Sequence, residues 1–472
     1  MRTWSLQMRS SQYWKKEMIE QLNIADIRKA YFIGIGGIGM SAIARFFQSR
    51  GVQVSGYDKT PTSLTQALEE EGISVHYVDD AAHCPKDADV IVYTPAIPHS
   101  NKIMTFCREM GLNLLKRSDI LQIISKGTFN ICIAGTHGKT TTSTMVAHIL
   151  RDAGFGCNAF LGGISTNYNT NFWSDPNPVC VIEADEYDRS FLKLYPNIIS
   201  ISSMDEDHLD IYGTATEMEN AFIQFTGNLK EGGLLLTHKG LKREHEFKKN
   251  GHFTYALQDS GADVHSLALA TDNGAYTYAV QGSGWSIDGL RLNMGGMHNV
   301  ENSLVAIAIA KHLGIDDAKI RNAVASFRGV KRRFEYIVKS NSCVFIDDYA
   351  HHPEELRALI LGARAMFPGK KCTVVFQPHL YSRTRDLVDG FAETLDLADE
   401  IILLPIYPAR ELPIDGVSSN MIMERMKGNV VLKSMSVLEG YLLESRPELL
   451  LTAGAGDIDT LIEPLKKAML KG

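Results

Sequence analysis

The sequence predicts an α/β protein of three domains, because three stretches of the chain repeat the same alternation of buried strand and helix. Residues 30–39 read AYFIGIGGIG, an apolar run that passes into clustered glycines and then into a helical pattern ending at Gly51. The alternation restarts at Asn130 with NICIAGTHGKTTT and again at Val344. The length of 472 residues also exceeds what one hydrophobic core usually supports.

We expect a second domain to begin near Thr128 and a third after the basic stretch Arg328–Arg333, with no low-complexity linker at either boundary. The resulting domains are 1–127, 128–328 and 329–472. Further strands are predicted at Val52–Tyr57, around Val90, and at Val179–Ile182, Ile198–Ser202, Val344–Asp347, Thr373–Gln377, Ile401–Leu404 and Leu449–Ala453, and a further helix at Val300–Leu313.

The composition is that of an ordinary globular protein, with 44% hydrophobic and 22% charged residues. No apolar run approaches the roughly 18 residues that a bilayer crossing needs, so we expect no membrane span. A net charge of −7 argues against a protein that coats nucleic acid. The seven cysteines are scattered without CxxC spacing, which favours a reducing cytoplasm.

The N-terminal residues carry positive charges without an apolar segment, so we expect no secretory signal. Their Arg and Ser content resembles that of an organellar presequence. We expect instead a disordered tail, or a true start at Met18.

A phosphate-binding loop is predicted where Gly135, Gly138, Lys139 and Thr140 follow a buried strand and open a helix. Glycines let backbone N–H groups converge on phosphate oxygens, and the helix N-terminus adds partial positive charge. Lys139 would neutralise the terminal phosphates, and the Thr140 hydroxyl would bind magnesium. The spacing departs from GxxxxGK[ST], since Ile133 occupies the first glycine position. The strand, loop and helix context still predicts an enzyme that uses ATP and Mg²⁺.

Acidic residues follow two of the predicted strands, in VIEADEYD and in DEDHLD. Parallel strands end at the same edge of a sheet, where open α/β sheets bind ligands. We expect Glu183 and His208 to join Thr140 as metal ligands there. The alternatives are a solvated acidic turn and a structural histidine. The other polar residues of the two segments are Asp185, Glu186, Asp188, Asp207 and Asp210.

The first glycine cluster matches GxGxxG, with Gly34, Gly36 and Gly39, and Asp58 follows at about the distance of a ribose-binding acid. Taken alone, the pattern predicts an NAD-dependent oxidoreductase. Any nucleoside linked through a diphosphate could occupy the same turn, so the class of nucleotide stays open.

The ordered motifs resemble those of the Mur ligases of peptidoglycan synthesis, from about Arg28 to the C-terminus. They are GIGGIGMS, AGTHGKTTT, EADE, DEDHLD, GMHNVEN, GVKRRFE, DDYAHHPEE, FQPHLYSRTRDL and GAGDI. The resemblance implies a Rossmann-like UDP-sugar domain (1–127), a central ATP-binding domain (128–328) and a dinucleotide-binding-like domain (329–472) that closes over ATP and binds the amino acid. It also implies an ATP-dependent cytoplasmic ligase that needs Mg²⁺, or Mn²⁺ in its place, and is a monomer or homodimer.

The resemblance also assigns site residues. Expected around the UDP-sugar are Gly34, Gly36, Gly37, Gly39, Asp58, Thr94, Pro95, Ala96 and Arg385. Expected around ATP are Gly135, Thr136, His137, Gly138, Lys139, Thr140, Thr141, His298, Asn299, Asn302, Arg333 and Asp348. Expected in catalysis are Lys139, Glu183, His208, His379 and Arg383. For Asn299 the alternative is a simple helix cap before Val300.

Within the family, GIGGIGMS and FQPHLYSRTRDL resemble the branch that adds alanine, which implies UDP-N-acetylmuramate, L-alanine and ATP as substrates and an acyl phosphate as intermediate. The segment EADEYD, with Tyr187, also resembles the murein tripeptide ligase of recycling, which stays open as an alternative. From other classes, a nicotinamide oxidoreductase leaves the phosphate loop unexplained, and an ATP-gated binding protein leaves HLYSRTR without a role.

Overall fold

The computed structural model describes residues 19, 21–206, 209–247, 250–409 and 411–471. Two compact units are present. The first comprises the described residues up to Ile164, together with Asn169–His265 and Val305–Ile320. The second comprises Ser165–Tyr168, Ser266–Leu304 and the described residues from Arg321 onward. The expectations for the N-terminal tail and Met18, and for Asp207 and His208, lie outside the described residues.

The first unit begins with a parallel sheet of five strands in the order β3-β2-β1-β4-β5. Its strands are β1 (Lys29–Ile33), β2 (Gln53–Tyr57), β3 (Ser74–His76), β4 (Val90–Tyr93) and β5 (Leu114–Lys116). Its helices are α1 (Ile38–Ser49), α2 (Ser63–Glu70), α3 (Lys102–Glu109) and α4 (Arg117–Lys126). The strand order reverses between β1 and β4, and the carboxyl ends of strands at such a point form a ligand-binding crevice.

A second, largely parallel sheet has the order β13-β12-β11-β10-β6-β9-β7-β8, in which β13 belongs to the first unit up to His265 and to the second from Ser266. Its strands are β6 (Phe129–Ala134), β7 (Asn158–Ser165), β8 (Thr170–Trp173), β9 (Val179–Glu183), β10 (Ile198–Ile201), β11 (Leu234–His238), β12 (His252–Ala256) and β13 (Val264–Thr271). The helices that follow along the chain are α5 (Lys139–Asp152), α6 (Leu209–Tyr212), α7 (Ala215–Gly227), α8 (Met297–His312) and α9 (Asp317–Ser326).

The register of this sheet fixes where the chemistry lies. Ile133 of β6 pairs with Glu183 of β9 on one side and with Ser200 of β10 on the other. The loop after β6, the acid that ends β9 and the residues after β10 therefore share one edge. These strands are apolar on both faces, as in VCVIE and IISI, because parallel strands of an α/β fold are covered on both sides.

The second unit contains an antiparallel hairpin of β14 (Tyr276–Gly282) and β15 (Trp285–Leu292). It also contains a six-stranded sheet in the order β16-β17-β21-β18-β19-β20, parallel except for β16. The strands of that sheet are β16 (Glu335–Lys339), β17 (Val344–Asp348), β18 (Cys372–Phe376), β19 (Glu400–Leu403), β20 (Val430–Leu432) and β21 (Leu449–Ala453). The accompanying helices are α10 (Pro353–Met366), α11 (Tyr381–Asp386), α12 (Val388–Leu395), α13 (Asn420–Met423), α14 (Met435–Ser445) and α15 (Ile462–Lys471).

The predicted α/β fold is confirmed. The antiparallel hairpin was not expected, although YTYAVQ and WSIDGL alternate in the manner of a half-buried strand pair. The domain boundaries at 127/128 and 328/329 stay predictions. No helix in the described part of the chain is long and apolar enough to cross a bilayer. All seven cysteines are buried free thiols.

Candidate active site

The phosphate loop connects β6 to α5 through two glycines with left-handed backbone. The φ angles are +124° at Gly135 and +79° at Gly138, a region that side chains with a Cβ rarely adopt. A Cβ atom placed on Gly135 would also lie only 2.1 Å from Ser202 Oγ. Backbone conformation and close approach therefore both require glycine at 135.

The end of β10 braces this loop. Ser203 Oγ accepts a hydrogen bond from the His137 N–H at 2.9 Å and shares one with Thr136 Oγ1 at 2.8 Å. The Ser203 carbonyl accepts from the Thr136 N–H at 3.2 Å, and Ser202 Oγ donates to the His137 carbonyl. These two serines hold the loop in shape, and the sequence reasoning did not identify them.

Lys139, the first residue of α5, reaches back across the loop. Its ammonium donates to the Gly135 carbonyl and to Glu186 Oε1, both at 2.7 Å. Glu186 is fully buried, and burial raises the pKa of its carboxyl while the Lys139 charge opposes that rise. The cation is thus held over the loop, where phosphates bind in loops of this kind.

Thr140 and Glu183 lie together at the start of α5. Thr140 Oγ1 donates to Glu183 Oε1 at 3.0 Å, and the Gly162 N–H donates to Glu183 Oε2 at 2.9 Å. Burial raises the pKa of the Glu183 carboxyl. A hydroxyl and a carboxylate at this distance are the hard oxygen ligands that Mg²⁺ prefers, so the donor set fits the predicted metal.

His208, the third predicted metal ligand, lies outside the described residues. Among those residues, no group of three or more His, Cys, Asp or Glu side chains could hold a metal ion. Beside Thr140 and Glu183, the shell of such a metal would be completed by phosphate oxygens, by water and by the predicted ligand His208. Thr141, predicted to contact ATP, is buried in the first turn of α5.

The first glycine cluster forms a tight turn between β1 and α1. Gly34 has φ +86°, and its N–H donates to the Tyr57 carbonyl at 2.8 Å. Asp58 Oδ2 accepts from the Gly36 N–H at 2.7 Å, so this carboxylate is bonded to the turn itself. Gly37 caps α1 without a side-chain hydrogen bond, which leaves the helix N-terminus open to an anion.

Thr94 and Ile97 lie against the same turn, whereas the predicted Pro95 and Ala96 between them are exposed. A Cβ atom on Gly34 would lie 2.9 Å from Thr94 Cγ2, and the Thr94 carbonyl accepts from the Ile97 N–H at 3.1 Å. The structure therefore brings Gly34, Gly36, Asp58 and Thr94 together at this turn; their binding of a UDP-sugar stays a prediction.

Within the first unit, a cleft runs from α1 to the end of β9 and has room for about 120 Å³ of water-sized molecules. Its lining includes Gly39 from the first glycine cluster and Glu183 from the edge that carries the phosphate loop. The remaining lining residues are Ile38, Ala42, Arg117, Leu121, Phe160, Leu161, Gly162, Ile182 and Asp185. A substrate in this cleft would touch both predicted sites.

In the second unit, Asp348 fixes the turn that carries Arg333. Its Oδ2 accepts from the Phe334 N–H at 2.6 Å and its Oδ1 accepts from the Ala350 N–H at 2.8 Å. Burial raises the pKa of this carboxyl. The Arg333 guanidinium lies over the Tyr349 ring, 5.6 Å from its centroid. Asp348 therefore acts on Arg333 through the backbone.

Arg332, which the sequence reasoning passed over, ties this turn to the sheet. Its Nε donates to Asp347 Oδ2 at 3.3 Å, and a terminal nitrogen donates to the Gly454 carbonyl. Asp347 is buried and also accepts from Thr452 Oγ1 at 2.6 Å. Burial raises the pKa of Asp347 to about 7.

His379 and Arg383 lie together around α11. The His379 ring stacks on Tyr407 with centroids 5.9 Å apart. His379 Nδ1 and Arg383 Nη1 are buried and have no hydrogen-bond partner among the described residues. Burial lowers the pKa of His379, and the nearby Arg383 charge lowers it further. His379 Nδ1 and Arg383 Nη1 could therefore form hydrogen bonds with a ligand.

The remaining predicted residues of the second unit lie apart along the chain. Arg385 is half-exposed and donates to Asp386 Oδ1 at 2.7 Å. Asn299 Nδ2 donates to the Gly295 carbonyl at 2.7 Å and Asn302 donates to Asn299 Oδ1 at 3.3 Å. The alternative reading of Asn299 as a cap before Val300 is wrong, because α8 begins at Met297 and Asn299 lies in its first turn.

His298, also predicted to contact ATP, is exposed in the first turn of α8. Its ring lies against Gly296, where a Cβ atom would come within 2.5 Å of His298 Cε1. Gly296 has φ +87°, so a side chain there would be disfavoured by the backbone as well.

Three family models match consecutive stretches of the chain. The model described as Mur ligase family, catalytic domain, matches residues 29–128. The Mur ligase middle domain matches residues 133–310, and the Mur ligase, glutamate ligase domain, matches residues 332–458. The chain belongs to the Mur ligase family. The predicted resemblance and the three-part fold class are confirmed.

This Mur ligase is 44% identical over 455 residues to the UDP-N-acetylmuramate–L-alanine ligase of Cytophaga hutchinsonii, covering 94% of this chain and 97% of that one. It is 43% identical to the ligase of the same name from Flavobacterium johnsoniae, covering 95% and 99%. Among solved structures, UDP-N-acetylmuramate-alanine ligase MurC from Thermotoga maritima superposes with a TM-score of 0.82 at 29% identity, covering 94% and 99%.

A murein peptide ligase from Psychrobacter arcticus shares the fold of this Mur ligase, with a TM-score of 0.64 at 22% identity. It covers 94% of this chain and 98% of its own. At that identity the likeness concerns the fold alone.

Proposed function

We propose that this Mur ligase joins L-alanine to the lactoyl carboxylate of UDP-N-acetylmuramate and converts ATP to ADP and phosphate. The observation that carries the proposal is the 44% identity, over 94% of the chain, to a ligase of that name. The phosphate loop and the open glycine turn of the first unit support it, because they offer separate places for ATP and for a UDP-sugar.

The chemistry requires activation of the carboxylate. A free carboxylate is a poor electrophile, since its charge repels nucleophiles and oxide is a very poor leaving group. Transfer of the γ-phosphoryl group of ATP to one carboxylate oxygen gives an acyl phosphate and ADP. The amino group of L-alanine then attacks the acyl carbon and forms the C–N bond. The bond from that carbon to the phosphate oxygen breaks, phosphate leaves with the electron pair, and the nitrogen loses a proton as the amide forms.

The chain's contribution is positioning and charge neutralisation, which dominate phosphoryl transfer. The N–H groups around Gly138 and the ammonium of Lys139 would hold the terminal phosphates. Thr140 and Glu183 would hold Mg²⁺, which when bound neutralises phosphate oxygens. Among described residues near the loop, Lys139 is the cation at its centre, and Glu186 keeps it there.

In the second unit, Arg383 would bind the alanine carboxylate, and His379 would face the amino group. Arg333 would approach the ATP phosphates, with Asp348 setting its backbone. His298, Asn299 and Asn302 would lie on the adenine side. The buried unpartnered atoms of His379 and Arg383 support a ligand at this place.

The substrates and the cysteines bear on the compartment in which the reaction takes place. A nucleotide-sugar and ATP place the reaction in the cytoplasm, and seven free thiols fit a reducing compartment. We propose Mg²⁺, replaceable by Mn²⁺, as the metal. We propose a monomer or homodimer that binds no nucleic acid, with domains at 1–127, 128–328 and 329–472.

The test is phosphate release coupled to an enzymatic readout. Release should need UDP-N-acetylmuramate, L-alanine and ATP together, and omission of any one should reduce it to background. Release that needs L-Ala-D-Glu-diaminopimelate in place of L-alanine, with UDP-N-acetylmuramate and ATP still required, would favour the second candidate, a tripeptide-recycling ligase. The segment EADEYD, with its exposed Tyr187, motivates that candidate. NAD reduction without phosphate release would overturn both.

A further inference from the structure

Arg117 lies between the two predicted sites of the first unit. It is the first residue of α4, and its Nη2 donates to Asp185 Oδ2 at 3.1 Å. A Cβ atom on Gly39 would lie 2.6 Å from Arg117 Nη1, so the guanidinium rests directly against the first turn of α1. The absence of a side chain at Gly39 therefore makes room for this cation.

The position of Arg117 is not explained by helix stability. A cation in the first turn of a helix opposes the helix dipole. The N-terminus of α4 is capped by Asp119, whose carboxylate accepts from the Lys116 N–H at 2.9 Å. An ion pair as accessible as Arg117–Asp185, with 23% and 34% of the two side chains exposed, contributes little to stability. A residue that breaks a local rule in this way is a candidate for function.

The charges in the cleft define what Arg117 can bind. Among the described residues that line it, Glu183 and Asp185 are acidic and Arg117 is the only cation. An anionic group entering this cleft would meet two carboxylates, and repulsion between like charges a few ångströms apart is strong in a partly desolvated site. Arg117 is the described lining residue that can pair directly with a carboxylate there.

We propose that Arg117 binds the lactoyl carboxylate of the acceptor and exchanges the Asp185 carboxylate for it. This inference rests on the proposed function. The guanidinium fork matches a carboxylate in two parallel hydrogen bonds, and Asp185 occupies that fork with the same chemical group. Glu183 lies in the same cleft and bonds to Thr140 of the phosphate loop, so a carboxylate on Arg117 would face the ATP-binding loop.

The experiment compares two ligands that differ at the carboxylate. UDP-N-acetylmuramate and UDP-N-acetylglucosamine share the uridine, diphosphate and N-acetyl sugar, but only the first carries the lactoyl group. Calorimetry would give Kd for both with the full-length wild type, with Arg117→Ala and Arg117→Lys, and with Arg108→Ala, an exposed arginine of α3 outside the cleft, as the matched control. ATP binding and circular dichroism would verify the fold of each variant.

We expect Arg117→Ala to weaken UDP-N-acetylmuramate binding about 10- to 100-fold, the range for loss of a charge-assisted pair. Binding of UDP-N-acetylglucosamine should stay within about twofold, and Arg108→Ala should change neither ligand. Arg117→Lys keeps the positive charge but not the two parallel N–H donors of the guanidinium. Its loss of affinity should therefore be smaller, and again confined to UDP-N-acetylmuramate. That variant preserves the test if Arg117→Ala does not fold.

If Arg117→Ala weakened the binding of both UDP-sugars equally, Arg117 would act on the diphosphate that they share, and the proposal would be overturned. Unchanged binding of UDP-N-acetylmuramate would also overturn it. Failure of the proposed function looks different: the wild type itself would then not bind UDP-N-acetylmuramate or release phosphate with it. The two failures are therefore distinguished by the wild-type measurement alone.

Discussion

The ammonium of Lys139 lies 2.7 Å from Glu186 Oε1, and the Glu186 side chain is fully buried. A carboxylate in such surroundings is costly to desolvate, which is why its pKa is raised, and the lysine offsets that cost. The second contact of Lys139, to the Gly135 carbonyl at 2.7 Å, keeps the cation above the loop. The pair therefore positions the charge that the phosphates need.

Replacement of Lys139 by alanine should abolish ligation, because no other cation stands at the centre of the described phosphate loop. Phosphate release by purified enzyme is the measurement, and Lys126→Ala, an exposed lysine at the end of α4, is the control. Removing one partner of a buried pair typically costs about 3–5 kcal/mol of stability. The double variant Lys139→Ala/Glu186→Gln removes both charges and should fold better, yet stay inactive; substantial turnover in it would refute the role of Lys139.

Loss of Glu183 should raise the Mg²⁺ requirement. Glu183→Gln keeps the shape and the Thr140 contact but removes the charge, so the Mg²⁺ concentration for half-maximal activity should rise about tenfold or more. Titration of activity with Mg²⁺ at saturating ATP measures this. His208→Ala should act in the same direction. An unchanged metal titration in both variants would remove them from the metal site.

Gly36→Ala should weaken UDP-N-acetylmuramate binding and leave ATP binding intact. A Cβ atom there would lie 2.7 Å from Thr65 Cγ2 and 2.8 Å from Asp58 Oδ2, which would push apart the turn and the carboxylate that its N–H binds. Gly127→Ala is the matched control, since a Cβ there meets nothing within 4 Å and φ is −99°. Calorimetry with NAD should give no binding to the wild type; tight NAD binding would overturn the UDP-sugar assignment.

The glycine loops could be predicted because their residues are neighbours in the sequence. Contacts between residues far apart in the sequence could not be predicted. Gly135, Gly138 and Lys139 stand in one strand–loop–helix unit, so their neighbours in sequence are also their neighbours in space. Ser203, which braces the same loop, is more than 60 residues away and lies between a strand and the acidic segment DEDHLD, outside the motif itself. Nothing in the sequence IISISSM distinguishes a bracing serine from a solvated one.

Arg117 and Arg332 were missed for a related reason. An arginine beside other basic residues, as in LLKRSD and GVKRRFE, is most often a solvated side chain, and only tertiary structure places Arg117 beside Asp185 and Arg332 beside Asp347. Asp58 illustrates the converse. Its distance along the chain from the glycines predicted a ligand-binding acid, whereas its carboxylate is already bonded to the Gly36 N–H.

Asp347→Asn should reduce the pH dependence of stability. The pKa of Asp347 is about 7 in the folded protein against 3.8 in an unfolded chain, so between these values the folded state holds more protons and stability falls as pH rises. From pH 5 to pH 8 the loss due to this group is roughly 3 kcal/mol, at 1.36 kcal/mol per unit. Facing charges are Arg332, which lowers the pKa, and Asp348 and Glu335, which raise it.

Thermal unfolding at pH 5 and pH 8 measures this effect. The midpoint of the Asp347→Asn variant, relative to wild type, should be higher at pH 8 than at pH 5. Asp399→Asn is a control without a pH effect in this range: burial raises its pKa, but the Cys372 N–H and Arg364 outweigh burial and hold the pKa below its ordinary value of 3.8. Its stabilising contribution is lost only below that pH, so Asp399→Asn should shift the midpoint equally at pH 5 and pH 8. A pH response in Asp347→Asn identical to wild type would contradict the prediction.

The amino substrate should be L-alanine rather than an extended peptide. The segment FQPHLYSRTRDL carries His379 and Arg383, and the Leu380 N–H donates to the Tyr407 carbonyl at 3.0 Å, which closes the loop after β19 onto this segment. Ser382 donates through its N–H to Glu411 Oε2 at 3.0 Å, which fixes the start of α11. We expect a small pocket that admits a methyl group, with a basic side chain for the alanine carboxylate.

Competition kinetics with L-alanine, glycine, D-glutamate and L-Ala-D-Glu-diaminopimelate test this pocket. Discrimination against glycine should be modest, because one methyl group contributes only about 1–3 kcal/mol. Rejection of D-glutamate should be much stronger, since its second carboxylate would be desolvated without a partner. The tripeptide should be excluded sterically, so a preference for it would assign this chain to recycling. Arg383→Ala should raise KM for L-alanine far more than KM for ATP, because its unpartnered Nη1 is the group expected to meet the amino-acid carboxylate.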